Sequence, residues 1–412
     1  MIEKPANSSV PHLSGRSFHD KVDGLNDGGL RARRIEVFGF DVAEISQIRR
    51  IRAMTALGHD VHSFTMRRNN MNAGFEADWP NTHLFRTEND RLIKRALIVA
   101  ASVAKMIWHR TRIRQADMIF ARNLDMLAIA WAARVLSGAA HVPLIYECLD
   151  INGALCRDDR RSRMMRAAER FLLARIQMLV VSSPGFIDHY FVPMQGYHGH
   201  WALWENKLAA GLKLPNRPVH RKPRAPDAAL TIGWVGTIRC APSLKLLTEL
   251  AERMGPRVAI HLHGIVHGHV KSDFEAALDT HANISFFGAY SYPLDLAKVY
   301  GDCDLVWAQD LWQSGNNSDW LLPNRLYEAS WAGCPSLAVA GTATAGRVVA
   351  DGLGWVVDKP EVEAVISVLQ GLTADQIAAK SRDLLARPDE DFVQALSDIQ
   401  YVIDLVSANK QK

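Results

Sequence analysis

Twice along this 412-residue chain, short apolar runs alternate with stretches of helical periodicity, the alternation that a parallel, doubly wound α/β sheet requires. The first series opens at residues 35–40 (IEVFGF). Residues 41–57 follow with apolar positions at Ile45, Ile48, Ile51 and Leu57, Gly58 stops the helix, and residues 61–65 are extended again. Further strands are predicted at 118–121, 144–147 and 178–182. The second series has strands at 230–235, 258–263, 284–287, 305–307, 336–340 and 354–357. Its helices are predicted from about Ser243, over 320–332, and through most of the tail from Pro360.

Residues 212–230 (LKLPNRPVHRKPRAPDAAL) part the two series, with four prolines and five Lys/Arg and little apolar periodicity. The predicted organisation is a flexible N-terminal tail over 1–33, a Rossmann-like domain over 34–211 and a linker over 212–229. A second Rossmann-like domain over 230–385 and a C-terminal helix over 386–412, expected to pack back on the first domain, complete it. Two such domains leave a cleft between them, and open α/β sheets bind ligands beyond the carboxyl ends of their strands.

Composition narrows the class. With 48% hydrophobic and 22% charged residues, the chain can bury a large core and is neither disordered nor low in complexity. The five cysteines are far apart and form no Cys-x-x-Cys pair, which argues against a disulfide framework and fits a reducing cytoplasm. Residues 1–34 hold no apolar stretch of signal-peptide length, and the most membrane-like run, 96–104, is only nine residues long against the roughly 20 a spanning helix needs.

Charge is unevenly spread. Residues 1–200 carry 28 Lys+Arg against 20 Asp+Glu, whereas the remainder carries 20 against 24, so only the first half is suited to an anionic surface. Arg91, Lys94, Arg95, Lys105, Arg110, Arg112 and Arg114 flank the 96–104 run, with Trp108 near one end; a second basic stretch spans 157–175. Each reads either as an ordinary amphipathic helix with a solvated basic face or as an interfacial helix at an anionic membrane. The stretches lack the interleaved aromatics of a nucleic-acid platform, so no nucleic-acid partner is expected.

The richest segment for chemistry is 315–335 (GNNSDWLLPNRLYEASWAGCP). Asn316, Asn317 and Ser318 precede a predicted helix whose free N–H groups suit a diphosphate. Arg325 and Glu328, three residues apart, share a helical face. Arg can grip phosphate oxygens and a carboxylate can accept from both hydroxyls of a ribose, although the same spacing also describes a surface helix with one salt bridge. A second loop, GWVGTIRCAPSLKLL, sets Gly233, Gly236, Thr237 and Arg239 at a strand-to-helix transition, where backbone amides can approach a phosphate and Arg239 and Lys245 can neutralise it. It has neither Walker A nor dinucleotide GxGxxG spacing.

The run PNRLYEASWAGCPSLA resembles the nucleotide-sugar-binding segment of GT-B glycosyltransferases, and GWVGTIRCAPSLKLL resembles their phosphate loop. The opening FGFDVAEISQIRRIRAMTALGHDVHSFTMRR is similar to the first βαβ unit of exopolysaccharide glycosyltransferases. Together with YECLDI and the segment around Asn324, these motifs resemble the succinoglycan-biosynthesis type, over about residues 34–358. The resemblance implies a GT-B architecture and a hexosyltransferase that moves glucose from UDP-glucose onto a saccharide carried on polyprenyl diphosphate, at the inner face of the cell membrane. It implies donor contacts at Gly236, Thr237, Arg239, Lys245, Asn317, Ser318, Asn324, Arg325 and Glu328, with Glu328 on the ribose and Arg325 on the diphosphate. If it extends to linkage, the product is a β-glucoside and the reaction inverts. Retaining members usually carry an acid eight positions before the ribose Glu; here that position is Trp320.

An inverting transfer needs a base. Asp150, ending the strand LIYECLD, is placed for that role or for capping the next helix, while Glu147 alternates onto the opposite face from Tyr146. Asp41, after the first strand, is expected to hold acceptor hydroxyls. The run HLHGIVHGH gathers His261, His263, His267 and His269, but no acid or Cys stands near them in sequence, so no metal and no cofactor are expected. The alternatives are a nucleotide-sugar epimerase, since fold does not fix function, and a non-catalytic assembly protein of a polysaccharide complex.

Overall fold

The computed structural model describes residues 31–68, 74–87, 92–209, 213–222, 224–225 and 227–408. Positions 1–30 of the expected tail lie outside the described residues, as do Arg91, linker positions 212, 223 and 226, positions 409–412, and the side chains of Lys94 and Arg95.

The first half runs β1 (Arg34–Gly39), α1 (Ile45–Ala56), β2 (Asp60–Arg68), β3 (Asn81–Thr87), α2 (Leu92–Met106), α3 (Arg110–Arg114), β4 (Met118–Arg122) and α4 (Leu124–Leu136). It continues with β5 (Leu144–Cys148), α5 (Gly153–Cys156), α6 (Arg160–Leu173), β6 (Met178–Val181), α7 (Pro184–Phe186) and β7 (Trp201–Leu203). All seven strands are parallel, in the order β3-β2-β1-β4-β5-β6-β7. Helices cover both faces, so β4, β5 and β6 are buried at every residue and read as continuous apolar runs.

After β8 (Leu208–Ala209) the second half runs β9 (Leu230–Ile238), α8 (Ala241–Met254), β10 (Val258–Val266), α9 (Lys271–Thr280), β11 (Ile284–Phe286), α10 (Leu296–Gly301) and β12 (Leu305–Trp307). Then come α11 (Asn317–Trp320), α12 (Asn324–Trp331), β13 (Ser336–Val339), α13 (Ala343–Ala350), β14 (Gly354–Val357), α14 (Val362–Gln370), α15 (Ala374–Ala386), β15 (Val393–Gln394) and α16 (Leu396–Ala408). Its six parallel strands are ordered β11-β10-β9-β12-β13-β14.

The chain returns to its first half at the end. Val393 and Gln394 of β15 pair with Leu208 and Ala209 of β8, and Ile399, Val402, Ile403 and Val406 of α16 join the core formed by Ile35, Val37, Ile51 and Met54. Among the described residues, no helix is long and apolar enough to cross a membrane.

The single helix predicted over 320–332 is corrected to two. Leu321 to Pro323 interrupt it, because Pro323 offers no backbone donor and forces Leu322 away from helical backbone; Pro323 itself is extended, at φ −75° and ψ 151°. The first strands of the second domain are also longer than expected. β9 reaches Ile238 and β10 reaches Val266, paired over their whole length. The helix predicted from Ser243 begins at Ala241, where Pro242 is tolerated in the first turn.

Candidate active site

Both sheets direct the carboxyl ends of their strands into one cleft. From the first sheet, β5 ends just before Asp150, which is exposed to the cleft. From the second, β9 delivers Gly236 and Arg239, β12 leads to Asp310, and α12 carries Arg325 and Glu328.

Glu328 is 4% exposed and sits between the two domains. Its Oε1 accepts from Arg49 Nη2 of α1 at 2.7 Å, and its Oε2 accepts from the Tyr300 hydroxyl at 3.0 Å. Arg49 also donates to the backbone oxygen of Lys207 at 3.2 Å and lies 4.6 Å over the Tyr292 ring. Burial pulls its guanidinium pKa down, but Tyr292 and Glu328 outweigh that and leave it above its ordinary value. An ionised carboxylate offers about four acceptor sites, so two remain for a further donor pair.

Arg325 lies close to the end of β9, its Nη2 4.0 Å from where a β-carbon on Gly236 would stand, and has no ion-pair partner among the described residues. Gly236 (φ +116°) and Gly264 (φ +130°) face each other across β9 and β10. A β-carbon on Gly264 would meet the Gly236 oxygen at 1.8 Å, so only glycine lets the strand ends approach this closely. Thr237 and Arg239 are exposed beside them. Gly236 and Thr237 belong to the strand itself, which corrects their placement in a strand-to-helix turn.

Arg239 approaches Asp310, with Nη2 3.9 Å from Oδ2, and acts electrostatically on Asp150. Confinement by surrounding protein raises the Asp150 carboxyl above the ordinary carboxylate range, and Arg239 and Asn317 draw it back in part. Its side chain nevertheless keeps an accessible surface, because the groups that crowd it line an open cleft. Asn317 bridges the domains: its Nδ2 donates to Asp150 Oδ1 at 3.1 Å and its Oδ1 accepts from the Ile151 amide at 2.7 Å. Ser318 donates to Asp310 Oδ1 at 2.8 Å and accepts from the Gln313 amide at 2.8 Å.

The remaining sequence-predicted residues are distributed as follows. Asn324 opens α12, partly buried. Lys245 lines a groove between α8 and α9 with Thr248, Glu252 and Asp273, not the turn that holds Arg239. Asp41 is sealed from solvent, its Oδ1 accepting from the Ala43 amide at 3.0 Å and its Oδ2 without a hydrogen-bond partner. Trp320, at the position of the missing acid, stacks on His189 with ring centres 5.9 Å apart, and its backbone oxygen accepts from the Ser183 hydroxyl.

Sequence reading missed three contributors. Asp310 follows β12 as Asp150 follows β5, and the same edge-of-sheet logic would have found it. Arg49 gave no signal, since its partner is 279 residues away. Nor did Arg50, which with Arg122 closes on the buried Glu147: Arg50 Nε lies 3.2 Å from Oε1 and Arg122 Nε 2.9 Å from Oε2. Burial lowers the Arg50 pKa to about 10, even with Glu147 beside it.

Over 292 residues the chain is 38% identical to the succinoglycan biosynthesis protein ExoL of Rhizobium meliloti (strain 1021), a match that takes in 70% of this chain and 72% of that protein. The chain belongs to the ExoL family. No family model matches it. Among solved structures, Anabaena HepE in complex with UDP and glucose superposes with a TM-score of 0.63 at 13% identity, over 91% of this chain and 99% of HepE. The sucrose-phosphate synthase of Thermosynechococcus elongatus gives 0.65 at 13% identity, over 92% and 97%. The fold of this ExoL-family chain is thus that of the GT-B glycosyltransferases, with two Rossmann-like domains across a cleft.

Proposed function

We propose that the chain is a nucleotide-sugar glycosyltransferase of succinoglycan-type exopolysaccharide synthesis, moving glucose from UDP-glucose onto a saccharide carried on polyprenyl diphosphate. The observation that carries this reading is the meeting of Arg239, Arg325 and Glu328 from one domain with Asp150 from the other on a single cleft. ExoL is named for succinoglycan biosynthesis, and the HepE crystals hold UDP and glucose, which supports the donor class.

In this reading Glu328 takes the ribose hydroxyls with the acceptor sites that Arg49 and Tyr300 leave open. Gly236, Thr237, Asn324 and Arg325 surround the diphosphate. The acceptor hydroxyl oxygen bonds to the anomeric carbon as the bond from that carbon to the β-phosphate oxygen breaks. The hydroxyl proton passes to Asp150, and the negative charge that develops on UDP is met by Arg239 and Arg325 with no metal on the diphosphate. Attack from the face opposite UDP inverts the anomeric centre. Asp41 can take acceptor hydroxyls only if the turn that seals it opens.

The acceptor domain is the one with the basic excess, and it presents apolar groups beside those charges. Trp108 is 86% exposed, Leu97 66% and Ile107 53%, while Met164 and Phe171 stand out from α6. We assign this face to the anionic inner surface of the cell membrane, where the lipid-linked acceptor resides. Incubating the purified protein with UDP-glucose and lipid-linked saccharide should add the mass of one hexose to the lipid. Conversion of UDP-glucose with no acceptor present would favour an epimerase. Unchanged polymer in cells carrying Asp150→Asn would favour a non-catalytic assembly role, for which Trp320 in place of an acid is the structural argument.

A further inference from the structure

The face of the second sheet that turns away from α8 carries three side chains that the proposed transfer does not use. Ile232, Trp234, Ile260 and Leu262 point into the core with α8, so the alternate residues of β9 and β10 point the other way. These include His261 and His263, two residues apart on β10. His261 is in register with Gly233 of β9, and Gly233 is in register with Val306 of β12 on its other side.

Gly233 makes a slot in that surface. A β-carbon there would stand 2.5 Å from the Cys303 sulfur, so the missing side chain is what admits the thiol between the strands. The outcome is a cluster in which one donor atom each from His261, His263 and Cys303 lies within 4.8 Å of the others. The sequence expectation that these histidines have no Cys partner is thereby corrected, since the parallel crossover brings in a cysteine 40 residues beyond His263.

The environment suits a ligand. Cys303 and His263 are buried, at 1% and 5% exposure, and His261 is half-buried. His261 Nδ1 and His263 Nε2 have no hydrogen-bond partner. A buried unpaired nitrogen is costly, and one on each of two histidines clustered with a buried thiol calls for an explanation. Phe287 holds the rings in place, stacked on His263 at 4.7 Å and edge-on to His261 at 4.8 Å.

We propose that His261, His263 and Cys303 form a Zn²⁺ site, with water in the fourth position. Tetrahedral bonds of about 2.0–2.1 Å to nitrogen and 2.3 Å to sulfur set ligand separations of roughly 3.3–3.6 Å, so the donors close by about 1 Å on binding. Cys303 gives up its proton to solvent and its weak hydrogen bond to the Val299 oxygen (3.4 Å), and binds as thiolate. The site ties β10 to the turn before β12. That turn follows Tyr300, whose hydroxyl orients Glu328, and His263 precedes Gly264 at the cleft edge. The metal steadies the donor domain and takes no part at the diphosphate.

The test uses full-length protein stripped with a chelator and titrated with Co²⁺, then with Zn²⁺ as competitor. The expected result is one equivalent of Co²⁺ with a thiolate-to-metal charge-transfer band, displaced by Zn²⁺ and not by Mg²⁺, and a thermal midpoint that rises with Zn²⁺. Cys303→Ser should abolish the band, whereas Cys334→Ser, at the neighbouring buried thiol, should keep it. His261→Asn, at a half-buried position, should weaken Co²⁺ binding by about tenfold or more and carries the test if Cys303→Ser does not fold. No stoichiometric uptake, or uptake unchanged in Cys303→Ser or in His261→Asn, would overturn the assignment.

Discussion

Replacing Glu328 with Gln tests the proposed donor site at the point where the two domains touch. The amide keeps the shape and one acceptor oxygen but loses the charge that serves Arg49 at 2.7 Å and Tyr300 at 3.0 Å. A hydrogen bond to a charged group contributes about 1.5–3 kcal/mol. If one ribose hydroxyl loses such a bond, UDP binding weakens by about 2 kcal/mol, roughly 30-fold in Kd. The same change leaves Arg49 buried without its anion, and breaking a buried pair costs about 3–5 kcal/mol, with the lower end expected where the amide oxygen still accepts. A fall in thermal stability alone would therefore prove nothing about UDP. The decisive comparison is calorimetric titration of UDP against 2′-deoxy-UDP in both proteins. Wild type should prefer UDP by about tenfold or more, and the preference should collapse in Glu328→Gln, because the hydroxyl then loses its charged partner in either case. Equal discrimination in the two proteins would show that Glu328 is an interdomain strut and not a ribose ligand.

Asp150→Asn should cut kcat by at least about a hundredfold with UDP affinity nearly intact, since it removes the proposed proton acceptor and no proposed donor contact. The Asp150 carboxyl is raised and must be ionised to act, so turnover should fall as pH drops through a value above the ordinary carboxylate range. Its effect on stability has the opposite sign: the folded state holds the proton more tightly, so ionisation costs stability as pH rises through that value. Asn317→Ala removes a hydrogen bond that favours the charged form and should move the acid limb of the kcat profile to higher pH, a shift that Glu328→Gln should not produce. Trp108→Glu should reduce sedimentation with anionic vesicles and turnover on lipid-linked acceptor, while leaving UDP binding unchanged.

The doubly wound sheets were legible because β4, β5 and β6 are buried on both faces and so are apolar at nearly every position, a signal that survives without knowing what covers them. The position of Asp150 at the carboxyl edge of β5 was legible for a related reason, since the chain's direction alone indicates a cleft there, whereas Arg325 and Glu328 stood out by their spacing on one helical face and by the motif around them. What could not be read were pairings across the domains and across the sheet. Arg49 and Arg50 look like the solvated face of an amphipathic helix, yet both are buried, Arg49 against Glu328 of the second domain and Arg50 against Glu147 of β5 and Gln394 of β15, partners that lie 97 to 344 residues away. Cys303 likewise meets His261 only through the absence of a side chain at Gly233, and an absence carries no periodicity.

The segment 317–320 shows what the departure at Trp320 accomplishes. In place of the acid that retaining members usually carry at this position, Trp320 and its short helix face the first domain: Asn317 holds Asp150 and Ile151, and Trp320 receives Ser183 and stacks on His189. A β-carbon on Gly185 would come within 2.7 Å of the Trp320 oxygen, so the contact depends on the glycine opposite as well. A Glu at 320 would remove the half-buried ring that stacks on the exposed His189 and with it the apolar part of this contact. Trp320→Glu should therefore loosen the contact between α7 and α11 without restoring a catalytic acid. Because Asn317, three residues earlier, fixes the proposed base, the loss should register as lower kcat with UDP affinity maintained. A Trp320→Glu protein that gained activity, or changed the anomer it makes, would contradict this account of why the acid is absent.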